Sequence, residues 1–152
     1  MAVKIVEEGN LLDSECKYLV NVVNCIGSAS TNSAKQFAEK YPKMYEEYKT
    51  LCKVGAYELG KIRVHQDNGK YIINFPTIKY PGQKSKMSDI IRCLQFMKQR
   101  MKYEYQYDNI PITVAMSAVG SDEGLNAEDI LAEIEKCFKY TGWCNIDFYI
   151  AK

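Results

Sequence analysis

The stretch from Tyr18 to Phe37, YLVNVVNCIGSASTNSAKQF, constrains the fold more than any other part of the chain. Tyr18 to Val23 is a short apolar run rich in β-branched valines, which suits a buried strand; a helix would need more length. Asn24 ends the run, and the small polar residues Gly27, Ser28, Ala29, Ser30, Thr31 and Asn32 follow. Ala34, Phe37 and Ala38 then recur at helical spacing. A strand that feeds a small-residue loop and then a helix N-terminus can cradle an anion. The loop admits the ligand, and the unpaired N–H groups and dipole of the helix favour negative charge.

Strand and helix patterns alternate on either side of a central hairpin. Ala2–Val6, Lys61–His65, Tyr71–Phe75, Ile112–Val119 and Ile146–Ile150 read as strands, and Asn68-Gly69 marks a tight turn between the second and third of these. Ser33–Lys40, Lys43–Lys53 after Pro42, Met87–Tyr105 with Ser88 as its cap, and Ala127–Tyr140 capped by Asn126 read as helices. The pattern predicts a mixed sheet with helices on both faces, a three-layer α/β/α sandwich, with residues 1–152 as a single domain. Ligands in such sheets bind beyond the carboxyl ends of the strands. The loops after Asn24, Phe75 and Val119 should therefore line one cleft.

Charge and cysteine usage narrow the function. With 20 basic and 19 acidic residues the chain lacks the basic excess of a general nucleic-acid binder. Its 6 cysteines form no CxxC pair, and a lone His65 cannot complete a zinc site. Most cysteines lie within apolar segments and read as small buried hydrophobes in a reducing compartment. No apolar run is long enough to span a bilayer, and no signal peptide is visible, so the cytoplasm is the expected location, without membrane attachment.

These residues resemble a macrodomain, the ADP-ribose-binding module. EGNLL at 8–12 sits where that family has its adenine-binding acidic motif; LVNVVNCIG at 19–27 and AKQFAEKYP at 34–42 match the distal-ribose strand, loop and helix. YIINFPT at 71–77 and GQKSKMSDI at 82–90 are similar to one branch in particular. It holds antitoxins that remove ADP-ribose from DNA, terminal ADP-ribose protein glycohydrolases, and ADP-ribose-1''-phosphate phosphatases. The resemblance implies ADP-ribose, or an ADP-ribosylated macromolecule, as the partner, with no cofactor and no metal. It implies Asn10 and Leu11 beside adenine, with Tyr149 stacking on the base. Asn24, Gly27, Ser28, Ser30, Thr31 and Asn32 then surround the distal ribose and phosphate. Thr77 and the third-loop residues Val119, Gly120, Ser121 and Gly124 complete the set.

The departures from that pattern bear on catalysis. The glycohydrolase branch places a lysine directly after the threonine of NFPT, where it reaches the ribose carbon; this chain has Ile78 there and Lys79 one place later. In extended backbone Lys79 points to the opposite side. Glycines usual in the loop after Asn24 are replaced by Ser28–Asn32, so side chains fill space that glycine leaves open. The third loop reads GSDEG, and a carboxylate beside a diphosphate is repulsive unless it faces the ribose. Lys79 as nucleophile or electrostatic stabiliser and Asp122 as proton carrier are the catalytic candidates. The expectations are an enzyme that removes ADP-ribose, a related ADP-ribose-1''-phosphate phosphatase, or a catalytically inactive nucleotide-binding or interaction module.

Overall fold

The computed structural model describes residues 2–150. Six strands, β1 (Val3–Val6), β2 (Tyr18–Val23), β3 (Arg63–Asp67), β4 (Lys70–Pro76), β5 (Ile112–Met116) and β6 (Cys144–Tyr149), form one sheet in the order β1-β6-β5-β2-β4-β3. Every neighbouring pair is parallel except the β3–β4 hairpin. Its turn is the expected Asn68-Gly69, with φ of 47° and 78°, the left-handed values that a two-residue hairpin loop demands.

Alternation along the strands sends side chains to two separate cores. Leu19, Val23, Ile72 and Ala115 face α1 (Asn32–Lys40) and α2 (Pro42–Lys53), packing on Phe37, Tyr41, Met44 and Tyr48. Tyr18, Val20, Ile73, Phe75, Val114 and Met116 face α3 (Met87–Asp108) and α4 (Ala127–Cys137), packing on Ile90, Leu94, Met97, Met101, Ile130 and Ile134. The result is the expected α/β/α sandwich. Cys16, Cys93 and Cys144 are buried and Cys25, Cys52 and Cys137 are half-buried, all as free thiols. Burial pushes the Cys93 and Cys144 thiols up to about 12, out of reach of ionisation at neutral pH.

Several element ends differ from the sequence reading. Lys61 and Ile62 precede β3, whose ladder with β4 begins at Arg63 opposite Asn74. β5 stops at Met116, because Val119 N–H bonds to the Ser117 carbonyl and Ser121 N–H to the Ala118 carbonyl, which curls the chain. Ser88 is not the cap of α3; the cap position is Lys86, with no side-chain bond, so Ser88 falls inside the first turn. α3 continues past Tyr105 to Asp108, closed by Asn109 in the left-handed conformation. α4 ends at Cys137, short of Tyr140. β6 starts at Cys144, paired with Ile112, and ends at Tyr149.

The topology sets the position of the site. β2 runs alongside β4 over its whole length but pairs with β5 only at Tyr18 and Leu19. Pairing stops there, at the point where successive connections turn to opposite sides of the sheet. A crevice beyond the carboxyl ends of β2 and β5 follows from this order.

Candidate functional site

Three loops leave strand carboxyl ends and are tied together by backbone bonds. Cys25 N–H, in the loop after β2, donates to the Lys79 carbonyl in the loop after β4 at 3.1 Å. Ser85 N–H, later in that second loop, donates to the Glu123 carbonyl in the loop after β5 at 3.0 Å. The expectation that all three line one cleft holds: Asn24, Ser28, Thr31, Thr77, Ile78 and Glu123 wall a single hollow of about 20 Å³. That is room for about one water.

Asn24 organises the first loop. Its side-chain oxygen accepts from Ile26 N–H at 3.1 Å, Ser28 N–H at 3.4 Å and the Tyr48 hydroxyl at 2.8 Å, while its amide donates to the Ser28 carbonyl at 2.9 Å. Thr31 caps α1 by accepting from Ala34 N–H at 3.0 Å. Asn32 is the exposed first residue of that helix, and Ser30 is exposed beside it. The helix N-terminus thus opens directly beside the hollow, as the sequence pattern predicts.

The third loop presents a carboxylate at the centre. Glu123 Oε1 accepts from Thr77 Oγ1 at 2.7 Å and from Ser85 Oγ at 2.8 Å, while Ser85 is also within 3.1 Å of the Thr77 carbonyl. Sequence reasoning nominates Asp122 instead, which is exposed on the same 3₁₀ turn. Two adjacent acids cannot be ranked from sequence, because the turn decides which one faces inward. Gly120 and Gly124 flank this turn, Ser121 is half-buried on it, and Val119 is buried just before it.

Lys79 is exposed and Ile78 is buried. Ile78 lines the small hollow; Lys79 lines a neighbouring one and holds its Nζ 5.6 Å from the Tyr80 ring. At the carboxyl end of β6 and in the loop after β1, the half-buried Tyr149 and Leu11 each pack against the α1/α2 core. Asn10 is exposed and caps a 3₁₀ turn at Leu11–Asp13, its oxygen accepting from Leu12 N–H at 3.0 Å. Residues that sequence reasoning leaves without a role, namely Tyr48, Ser85 and Glu123, prove to be the ones that brace the cleft. Among the described residues no group of three or more His, Cys, Asp or Glu side chains is placed to hold a metal, and no helix is long and apolar enough to cross a membrane.

Comparison with known proteins agrees with this geometry. The Macro domain family matches residues 20–138. The chain is 32% identical over 142 residues to a protein of Mycobacterium tuberculosis named DNA ADP-ribosyl glycohydrolase, covering 86% of this chain and 37% of that protein. It therefore spans little more than a third of that relative's length. Among solved structures it is similar to the macrodomain of Mycobacterium tuberculosis DarG, with a TM-score of 0.84 and 31% identity over 98% of this chain and 99% of that one. The macrodomain of Thermus aquaticus DarG follows, with a TM-score of 0.81 and 25% identity over 99% of this chain and 97% of that one.

Proposed function

The chain belongs to the Macro domain family, and we propose that it binds ADP-ribose in the crevice between β2 and β5 and removes it from a modified macromolecule. The observation that carries this reading is the Glu123 carboxylate, fixed by the Thr77 and Ser85 hydroxyls on the wall of the hollow that Asn24 also lines. Hydrolysis of the glycosidic bond needs a proton taken from water and a proton given to the leaving carrier, and a positioned carboxylate serves both. In this reading Glu123 accepts the proton of the water that adds at the anomeric carbon. As the bond to the carrier breaks, Glu123 gives that proton to the departing carrier and returns to the carboxylate. Asp122, exposed beside it, is an alternative donor to the carrier, recharged with a proton from solvent. Lys79 stabilises negative charge from the rim. Adenine lies between Asn10, Leu11 and Tyr149, and the diphosphate lies along Ser28–Asn32 and Gly120, Ser121 and Gly124.

A second reading is a binding module without turnover. It is favoured by Ile78, which occupies the wall of the hollow where the resemblance leads one to expect a lysine, while Lys79 faces the neighbouring hollow. One experiment separates them: calorimetric titration with ADP-ribose, followed by incubation with an ADP-ribosylated oligonucleotide and an ADP-ribosylated peptide, alongside Lys79→Ala. Binding with release of ADP-ribose supports the enzyme. Binding without release supports the module, and absence of binding removes both.

A further inference from the structure

We propose that the outer edge of β3 is a docking site for an extended acidic segment of a partner protein, which adds to the sheet as a further strand. The edge lies in a hollow of about 1040 Å³. Arg63, Val64, His65 and Gln66 of β3 line it, with Lys43, Glu47 and Thr50 of α2 on one face of the sheet and Phe96 and Arg100 of α3 on the other. It shares no residue with the two hollows around Thr77 and Ile78, so the proposal stands apart from the ADP-ribose reading.

The backbone of this edge is free to pair. β3 is the last strand of the sheet and its ladder is with β4 alone. The two-residue turn makes Asp67 and Lys70 a hydrogen-bonded pair, and such pairs alternate along an antiparallel ladder. Arg63, His65 and Asp67 therefore direct their backbone groups at β4, while Val64 and Gln66 direct theirs outward. Among the described residues no hydrogen bond from another element reaches the backbone of Val64 or Gln66. The register runs unbroken from Arg63 to Asp67 and the strand holds no proline, so two of the devices that blunt an exposed edge are missing.

The side chains around the edge select the occupant. An added strand turns alternate residues to opposite faces. On the α3 face, the half-buried Val64 and the 44% exposed Phe96 give an apolar side chain a seat. On the α2 face the uncommitted charge is positive. Each carboxylate lining the hollow has a partner within the chain: Glu46 with Lys49 at 2.8 Å, Glu58 with Lys61 at 2.9 Å and Glu47 with His65 Nδ1 at 3.2 Å. Among the described residues the exposed Lys43 and Arg63 make no salt bridge, and Arg63 commits only two of its donors, Nε and Nη2, to the Ala56 carbonyl. A second copy of this chain answers that charge poorly. Antiparallel pairing about His65 sets Arg63 opposite Asp67 of the other copy, and that carboxylate is buried and already accepts from Met44 N–H at 2.9 Å.

The test uses a capped synthetic peptide of alternating glutamate and valine, a lysine-for-glutamate version as control, and the variants Gln66→Pro and Lys43→Glu/Arg63→Gln. Proline at 66 removes an outward N–H that the ladder with β4 does not use, and glutamine at 63 keeps a donor for the Ala56 carbonyl. Wild type should bind the acidic peptide, with exchange of the Val64 and Gln66 amide hydrogens slowed by about tenfold or more at saturation. Gln66→Pro should weaken binding by about fivefold. The double variant should weaken it by at least about fivefold and flatten its dependence on salt. No binding by wild type, equal binding of the lysine peptide, or unchanged exchange of both amides overturns the proposal; the exchange measurement decides alone if Gln66→Pro fails to fold. A dimer of wild type in sedimentation that Gln66→Pro abolishes overturns it in favour of a second copy at the edge.

Discussion

The Tyr48 hydroxyl on α2 lies 2.8 Å from both the backbone carbonyl and the side-chain oxygen of Asn24, at the end of β2. A helix on one face of the sheet thereby fixes the residue that opens the candidate site. Burial raises the phenol well above its ordinary range, so it remains a neutral donor. Tyr48→Phe removes that donor without altering the shape of the packed ring. It should cost about 1–3 kcal/mol of folding stability, the loss expected when a buried acceptor is left without its partner. Urea denaturation reads it as a lower midpoint at an unchanged slope, and an unchanged midpoint would show that the bond contributes nothing.

Asn24 itself holds the loop that borders the proposed ligand site. Asn24→Ala frees the N–H groups of Ile26 and Ser28 and the Ser28 carbonyl at once. ADP-ribose binding should weaken by about 1–3 kcal/mol, measured by calorimetry. A dissociation constant equal to that of wild type would take Asn24 out of the site.

Glu123 and Asp122 are neighbours in sequence with opposite surroundings. Glu123→Gln keeps an oxygen that accepts from Thr77 and Ser85 but cannot take a proton. It should lower the rate of ADP-ribose release by about 10²–10⁴-fold, with free ADP-ribose still bound. Asp122→Asn, exposed to solvent that can exchange the proton in its place, should change the rate far less. Quantifying released ADP-ribose by chromatography distinguishes the two, and equal losses would shift the role from Glu123 to the turn as a whole.

The layers of the fold were legible because each depends on local periodicity. Tyr18 to Val23 identifies itself as a short β-branched run, and α3 by Ile90, Ile91, Leu94, Met97 and Met101 at spacings of three and four. The meeting of the three loops also followed from strand order. What was not legible is orientation inside turns. Whether Asp122 or Glu123 faces Thr77 depends on a three-residue 3₁₀ turn, and the bracing role of Ser85 depends on a contact across 38 residues of sequence. Ser88 looks like a cap because sequence reveals a preference, whereas the helix starts where Lys86 becomes extended.

Gly27 shows the limits placed on the first loop. Its φ is 83°, and a side chain there would lie 3.3 Å from Cys52 Cβ and 3.4 Å from Lys49 Cα. The left-handed conformation alone costs a non-glycine residue about 1–2 kcal/mol, and the backbone of α2 cannot retreat cheaply. Gly27→Ala should therefore destabilise the fold by about that amount or more in thermal or urea unfolding and also weaken ADP-ribose binding. A variant with wild-type stability would mean that the loop relaxes into another path.

His65 links pH to stability through a buried polar chain. Asn21 donates to Asn74 at 3.1 Å, Asn74 to the Tyr57 hydroxyl at 2.9 Å, and Tyr57 lies 2.7 Å from His65 Nε2, while Nδ1 lies 3.2 Å from Glu47. Because Asn74 donates to Tyr57, the phenol hydrogen points at Nε2, and the neutral ring with its proton on Nδ1 satisfies both its neighbours. Protonating Nε2 would leave that phenol hydrogen without an acceptor. Burial, opposed in part by Glu47, likewise holds His65 below its ordinary value of 6.5. The unfolded chain therefore binds a proton that the folded chain refuses. Stability from this group is complete above pH 6.5 and falls as pH drops from there toward the depressed folded value. Urea midpoints measured from about one pH unit above that ordinary value to about one unit below it should decline in the wild type. The decline should flatten in His65→Gln, which keeps a polar side chain but cannot titrate. A decline of equal steepness in both proteins would assign the effect to other groups.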